Sequence, residues 1–388
     1  MKKVCILGVG RQGSAAAYDI LKYYKPKQLL LLDSNQNALK KTITKIDKIK
    51  DDNTEIIAKV VDLNDSEKLK EILKPFDIFL SAVPYQFNLK LTEVAISSKT
   101  SMVDLGGHTR NVIKQLNYDE PSKQKNIAIV PDCGMGPGMN ISMALLGIEY
   151  LDNAKDVYIW DGGLPKKPKE PWNYSLFFNI KGLTNEYDGS AYFIKNGKIA
   201  EVPCFDEFEI VEFENIGKLE AVVTSGGLST MPWSYEGKLN TLSNKTLRYK
   251  GHWELMKAYR QIGLFSENKI TYQGVDFTPR DFYHFLLEPL LKSNDREDIC
   301  LMRTESYGLK NNQNIGVRYE VIEEYDKKTD FMAMEKWTGW HASIVMQKIL
   351  DGSIQPGAHP IEKALSGKMF YNEAIKRGYN IKETILNP

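Results

Sequence analysis

Short apolar runs alternate with stretches of helical period through the first third of the chain. KKVCILGV precedes SAAAYDILKYY, QLLLLD precedes NALKKTITKIDKIK, and EIIAKVVDL precedes DSEKLKEILKPF, where Leu69, Ile72 and Leu73 share a face. DIFLSAV leads into LKLTEVAISS, and SMVDLGG and NIAIVPDCG close the series. Short apolar strands between helical patterns of about 10–15 residues predict a parallel, doubly wound sheet. Ligands of such sheets lie beyond the carboxyl ends of the strands. That rule nominates residues 8–13, Asp33, Asp62, 83–85, 104–108 and 132–138.

Near residue 150 the pattern changes. Strand-like runs now follow one another, with Asn196-Gly197 between two of them as a hairpin signal. LEAVVTSGG, NKTLRYKG, DICLMRTESYGL and VRYEVIEEYD also read as strands. HWELMKAYRQIG, stopped by Gly263, and TPRDFYHFLLEPLL, with Thr278 as N-cap and Pro279 in the first turn, read as helices. The expected fold is α/β: a Rossmann-type doubly wound parallel sheet over 1–130, then an α+β domain with a mixed, largely antiparallel sheet over 131–330. The remaining 331–388 turns helical again in GWHASIVMQKILDG and is expected to pack back on the first domain.

Gly8, Gly10 and Gly13 lie where the first strand meets the first helix. Gly8 permits a tight turn, Gly10 a close backbone approach, and Gly13 tight packing of helix on strand. The positive helix end then meets a pyrophosphate, with Arg11 and Gln12 in the same turn. Twenty residues after Gly13, Asp33 ends the second apolar run. A carboxylate there accepts from ribose hydroxyls and repels a 2′-phosphate, which selects NAD over NADP. Asp62, Val83, Pro84, Gly106 and Gly107, at later strand ends, complete the expected cofactor-binding set.

The chain has 388 residues, long enough for two domains. Its 51 basic and 50 acidic side chains leave a net charge of +1, so no charge excess speaks for nucleic acid or an anionic membrane as partner. Ile43, Ile46 and Ile49 punctuate the lysine-rich KKTITKIDKIKDD at helical spacing, as in a solvated helix face. No apolar run approaches the ~20 residues of a membrane span. Cys5, Cys133, Cys204 and Cys300 are dispersed, and no His, Cys and carboxylate grouping has ligand spacing, so no metal is expected. With no targeting segment recognised, a soluble cytoplasmic protein with reduced thiols is the expectation.

The stretches GVGRQG, SAVPYQFN, VDLGG, PDCGMGPGMN, DGGLP, PWNYSLFFNIKGLTNEY, TSGGLSTMPWSYEGK, NKTLRYKGHWE and MEKWTGW carry a resemblance through most of the chain. They resemble the saccharopine dehydrogenase-like family and are most similar to its lysine 6-dehydrogenases. GLTNEY and KTLRYKGHWE are the more specific stretches. Lys250 stands where lysine 6-dehydrogenases usually have proline, which leaves the loop before Gly251 less rigid. The resemblance implies an NAD-linked oxidation at a nitrogen-bearing carbon of an amino acid. It also implies a homodimer formed through the sheet of the second domain.

The implied reaction moves a hydride from Cε of lysine to nicotinamide and leaves an imine. Water attacks, ammonia departs, and the semialdehyde cyclises. The amine must lose its proton, a positioned acid or base must act, and the α-carbon end must be held. Saccharopine reductases have a tyrosine, an aspartate and a cysteine in matching motifs, which fall here on Tyr85, Asp104 and Cys133. Asp104 is then the candidate base, Tyr85 a wall beside the nicotinamide, and Cys133 a proton relay or pocket residue. Plainer readings are a loop-capping Asp104 and a packing Cys133; His108 is an alternative proton carrier. Arg248 is the expected carboxylate holder, aided by Thr224 and Ser225, with Glu186 and Trp172 as walls of a cation-holding pocket. Two other readings stand beside this one. One is a saccharopine or carboxyspermidine-type dehydrogenase, whose secondary amine calls for a second strong cation; the other is an inactive NAD-binding sensor.

Overall fold

Each apolar run of the first third becomes a strand of one sheet. β1 (Lys3–Leu7), β2 (Gln28–Asp33), β3 (Glu55–Val60), β4 (Ile78–Ser81), β5 (Ser101–Asp104) and β6 (Ala128–Val130) are joined by Gly357–Ala358. The structure is a computed structural model and describes residues 2–51 and 53–387. It divides into two compact units. The first holds the residues up to Glu149, Ser229–Ser234 and Glu335–Gly378; the second holds Tyr150–Leu228, Tyr235–Met334 and the residues after Gly378.

In the first unit the strand order is β3-β2-β1-β4-β5-β6, then Gly357–Ala358, with every pair parallel. The order reverses at β1, whose Leu7 lies between Leu32 of β2 and Ser81 of β4. In sheets of this kind, ligands bind beyond the carboxyl ends of the strands at such a reversal. Cys5, Leu7, Leu30, Leu32, Phe79, Met102 and Ile129 belong to one core cluster. Each large aliphatic side chain so buried contributes about 1.5–3 kcal/mol. Helix α1 (Arg11–Tyr23) buries Ala15, Ala16, Ala17, Ile20 and Leu21. The helix Met139–Tyr150 is buried at every residue from Met139 to Gly147, as an all-round apolar helix requires.

The second unit is built on β7 (Asn153–Pro165), β8 (Ser190–Lys195), β9 (Lys198–Pro203), β10 (Glu209–Phe213), β11 (Gly217–Val223) and β12 (Thr241–Arg248). It continues with β13 (Ile270–Tyr272), β14 (Val275–Phe277), β15 (Asp298–Lys310) and β16 (Gln313–Glu324). The main sheet runs β10-β11-β12-β7-β15-β16 and ends on Lys382–Leu386. Only β12 beside β7 is parallel; the other pairs are antiparallel. The mixed, largely antiparallel sheet is the one its sequence pattern predicts. Asn196 and Gly197 both take left-handed φ between β8 and β9, and Thr278 caps the helix Pro279–Leu291 with proline in its first turn. Among the described residues, no helix is long and apolar enough to cross a membrane.

Candidate active site

The glycine turn at the end of β1 is shaped by contact and by space. Gly8 has φ +88°, and a Cβ there would lie 2.6 Å from the Ala82 carbonyl oxygen. A Cβ on Gly13 would lie 1.9 Å from the Gly8 carbonyl oxygen. Gly10 differs, because nothing stands within 4 Å of the position its Cβ would take. It is also the N-cap of α1, where no side chain caps the helix and no acid sits in the first turn. An open cradle at an uncapped helix start fits a pyrophosphate. Arg11 is exposed beside it and Gln12 half-buried.

Asp33 is tied into this turn. Its Oδ2 accepts from Val9 N at 2.8 Å and its Oδ1 from Asn35 N at 2.8 Å. Asp62 stands further out, exposed after the edge strand β3, and its Oδ1 accepts from the backbone and side chain of Asn64. On the other side of β1, Val83 Cγ1 closes on Gly8, and Pro84 leads to a half-buried Tyr85. Tyr85 stacks on His108 with ring centres 5.3 Å apart, and a Cβ on Gly107 would meet it at 3.3 Å. Gly106 and Gly107 both have positive φ.

Asp104 is fully buried at the end of β5. Its Oδ1 accepts from Gly106 N at 2.8 Å and Asp132 N at 3.2 Å, and its Oδ2 from Gln115 Nε2 at 2.7 Å. That is the geometry of the loop-capping reading. Cys133 is buried too, and its thiol points at the carbonyls of Val130 and Pro131. Burial, with Asp104 and Asp132 near, pushes this thiol well up, which suits a packing residue.

In the second unit, Arg248 ends β12 and is 3% exposed. Its guanidinium carbon lies 4.8 Å from the Tyr174 ring centre, 5.5 Å from Trp253 and 5.8 Å from Tyr187. Nε donates to Tyr187 Oη at 3.0 Å and Nη1 to the Leu247 carbonyl at 2.9 Å. Nη2 reaches only to Glu186 Oε2, at 3.9 Å. Behind Tyr187 stands His252. Its Nδ1 lies 2.8 Å from the Trp172 carbonyl, which only accepts, so Nδ1 carries the proton. Nε2 then accepts a hydrogen bond from the Tyr187 hydroxyl at 2.9 Å. Burial, with the Arg248 charge close by, pulls His252 down to about 3, so the ring stays neutral. Burial, opposed by Arg248 and assisted by Asp161, pushes Glu186 up to about 7. The Tyr174 hydroxyl is buried and has no hydrogen-bond partner among the described residues.

The other nominated residues have structural partners. Thr224 shares a 2.6 Å hydrogen bond with Thr246. Ser225 donates to the Asn185 carbonyl and Trp172 Nε1 to Tyr259 Oη. No group of three or more His, Cys, Asp or Glu is placed to hold a metal ion among the described residues.

Two family profiles divide the chain between them. The saccharopine dehydrogenase NADP binding domain matches residues 4–130, and the saccharopine dehydrogenase C-terminal domain matches 134–378. The chain belongs to the saccharopine dehydrogenase family. The saccharopine dehydrogenase (NADP(+), L-glutamate-forming) of Saccharomyces cerevisiae is 22% identical over 397 aligned positions, spanning 83% of this chain and 87% of that protein. The mitochondrial alpha-aminoadipic semialdehyde synthase of Rattus norvegicus is 24% identical over 222 positions, 54% of this chain and 23% of that protein. Among solved structures, apo saccharopine dehydrogenase (L-Glu forming) from Saccharomyces cerevisiae superposes with a TM-score of 0.79 at 17% identity, covering all of both chains. At that identity it shows the shared fold.

In this saccharopine dehydrogenase family member, the glycine turn falls in the first matched region and the Arg248 cluster in the second. Sequence reasoning named Arg248 and Glu186 and placed Asp132 among the strand-end residues without a role, but missed Tyr174, Tyr187 and His252 as members of polar clusters. Tyr174 and Tyr187 lie inside PWNYSLFFNIKGLTNEY, where they read as ordinary core aromatics. His252 opens a helix and reads as a helix residue. Their hydroxyl and ring-nitrogen partners are set by tertiary contact.

Proposed function

We propose that the chain is an NAD-dependent dehydrogenase that oxidises the ε-amino carbon of L-lysine and releases ammonia. The observation that carries this reading is the pairing of Arg248 with Glu186, beside an unpartnered tyrosine hydroxyl. An α-amino acid presents a carboxylate and an ammonium on one carbon. A guanidinium edge and a carboxylate 3.9 Å apart are complementary to that zwitterion. Arg248 Nη2 and the Tyr174 hydroxyl donate to the carboxylate, and Glu186 receives the α-ammonium. Arg280 is taken up by Asp188 and Glu267, whereas Nη2 of Arg248 faces the Glu186 carboxylate at 3.9 Å.

NAD supplies the hydride acceptor. With a pyrophosphate at Gly10, Asp33 would receive the adenosine ribose, and the ends of β4, β5 and β6 would face the nicotinamide half. Asp33 puts negative charge where NADP carries a 2′-phosphate, and this supports NAD. Tyr85 and His108 form a flat wall on the nicotinamide side, and Asp104 serves the reaction through the loop it shapes. Hydride loss from Cε leaves an imine; water adds to it and ammonia departs.

Purified protein given L-lysine and NAD should form NADH and free ammonium. No NADH at neutral or alkaline pH, or turnover that instead joins or splits a second amino acid, overturns the lysine reading. The second outcome would establish the secondary-amine reading that the names of the relatives favour.

We also infer that the second unit pairs with a second copy of the chain. On the helix Pro279–Leu291, Phe282, Phe285, Leu286 and Leu290 form an outward stripe, with Phe285 74% and Leu290 60% exposed. Phe277 contacts Phe282, which joins the stripe to the β13–β14 hairpin and its exposed Ile270, Tyr272 and Val275. A two-stranded sheet alone is marginal in water. Together these side chains present on the order of 700 Å², close to the ~800 Å² each partner gives a standard interface.

A further inference from the structure

Two carboxyl groups share one buried knot where β5 and β6 end. Asp104 has three N–H donors, two of them backbone; burial pushes its carboxyl up, and these donors oppose that push and favour the charged form. Asp132 is 2% exposed and differently provided. Its Oδ2 meets the Ser229 hydroxyl in a short hydrogen bond. Its Oδ1 is buried with no partner among the described residues. That oxygen lies against Gly106, where a Cβ would stand 2.3 Å from it. Both Asp132 and Ser229 hold left-handed φ, +62° and +43°, so the pair joins two strained positions 97 residues apart.

The titratable groups around Asp132 are Asp104 on β5, Glu362 on the helix Ile361–Ala364, and the neighbouring Cys133 thiol, which burial keeps neutral. Burial first, then the Asp104 charge, push the Asp132 carboxyl well up; the Ser229 bond opposes this and Glu362 adds to it. Two like charges in one desolvated knot are unfavourable, and the N–H donors of the knot go to Asp104 while Asp132 has only the Ser229 hydroxyl.

We propose that Asp132 is a positioning residue that works as a neutral carboxyl. Its proton lets it lie against Gly106 and Asp104 without a second negative charge. The 104–108 loop, with Gly107 against Tyr85 and Tyr85 against His108, thereby keeps the shape that receives the nicotinamide half of the dinucleotide. This rests on the dinucleotide reading of the first unit and is independent of which amine is oxidised.

Asp132→Asn keeps the shape and hydrogen-bonding capacity of the neutral acid but has no ionisation. Calorimetric NAD affinity and thermal unfolding, measured from pH 6 to pH 10 on the full chain, test the idea without any substrate. The parent should lose NAD affinity as pH rises and Asp132 ionises, whereas Asp132→Asn should bind as the parent does at pH 6 and hold that affinity throughout. Asp132→Leu, which leaves Ser229 unpaired, should lose about tenfold in NAD affinity. Superposable pH profiles for parent and Asp132→Asn overturn the proposal. So does an Asp132→Asn chain that melts and binds NAD normally yet loses turnover with whichever amine the parent oxidises, because that result makes the ionised carboxylate the working form. Failure of NAD to bind the parent at any pH removes the dinucleotide reading itself.

Discussion

The guanidinium of Arg248 lies 4.8 Å from the ring centre of Tyr174, whose hydroxyl is left without a partner. Stacking holds the cation in place and the free hydroxyl adds a second donor to its open edge. Tyr174→Phe removes that donor and little else. The expected effect is a KM for the amino acid raised about tenfold with kcat nearly unchanged. Arg248→Lys keeps the charge but loses the planar fork, and kcat/KM should fall about 100-fold. Steady-state kinetics, with thermal melts to show that both variants fold, decide this.

Glu186 sits at about 7, raised by burial against the pull of Arg248. Only its ionised form receives an α-ammonium. As pH rises through 7 the charge appears, so kcat/KM for the amino acid should climb over that interval. The linkage to stability has the opposite sign. A carboxyl raised in the folded state favours folding at low pH, and that contribution is lost as pH rises from the ordinary glutamate value through about 7. Glu186→Gln should remove the pH-dependent limb and leave a uniformly weak substrate affinity, which a pH–rate profile will show.

Asp33 places a carboxylate at the adenosine end of the glycine turn. Asp33→Ser should raise kcat/KM with NADP about tenfold or more relative to NAD, because the repulsion of the 2′-phosphate is gone. Unchanged selectivity would mean that Asp33 only holds the turn through Val9 and Asn35.

The apolar stripe on Pro279–Leu291 predicts an oligomeric state. The parent should elute as a dimer under light-scattering detection, and Phe285→Glu with Leu290→Glu should give a monomer. A parent that is monomeric at micromolar concentration, or a double variant that remains dimeric, excludes this face as the contact.

Arg377 and Asp19 form an ion pair with no solvent exposure on either side chain, across 358 residues of sequence. Glu373 also accepts from Arg377. Asp19→Asn removes the fully buried partner charge and leaves Arg377 only Glu373, which should cost about 3 kcal/mol in urea unfolding, while Asp19→Leu with Arg377→Met should cost less.

Much of this architecture can be read directly from the chain. Apolar runs such as QLLLLD and the helical spacing between them determine six parallel strands, and Asn196-Gly197 and Thr278-Pro279 place a hairpin and a helix start, because these signals act between near neighbours. The glycine triplet and Asp33 are legible for the same reason: a turn, a helix end and the next strand are all local. What only the tertiary structure decided is which polar atoms are paired and which are left over. Arg248, Glu186, Tyr174 and His252 meet because β12 delivers Arg248 to residues 62 and 74 positions earlier and to a helix start just after it. Asp104 holds three donors and Asp132 one because the loops after β5 and β6 and the Ser229 segment converge there. Periodicity reports which faces are buried. It carries no information about long-range hydrogen bonds, and in a low-dielectric interior those bonds decide whether a carboxyl keeps its proton.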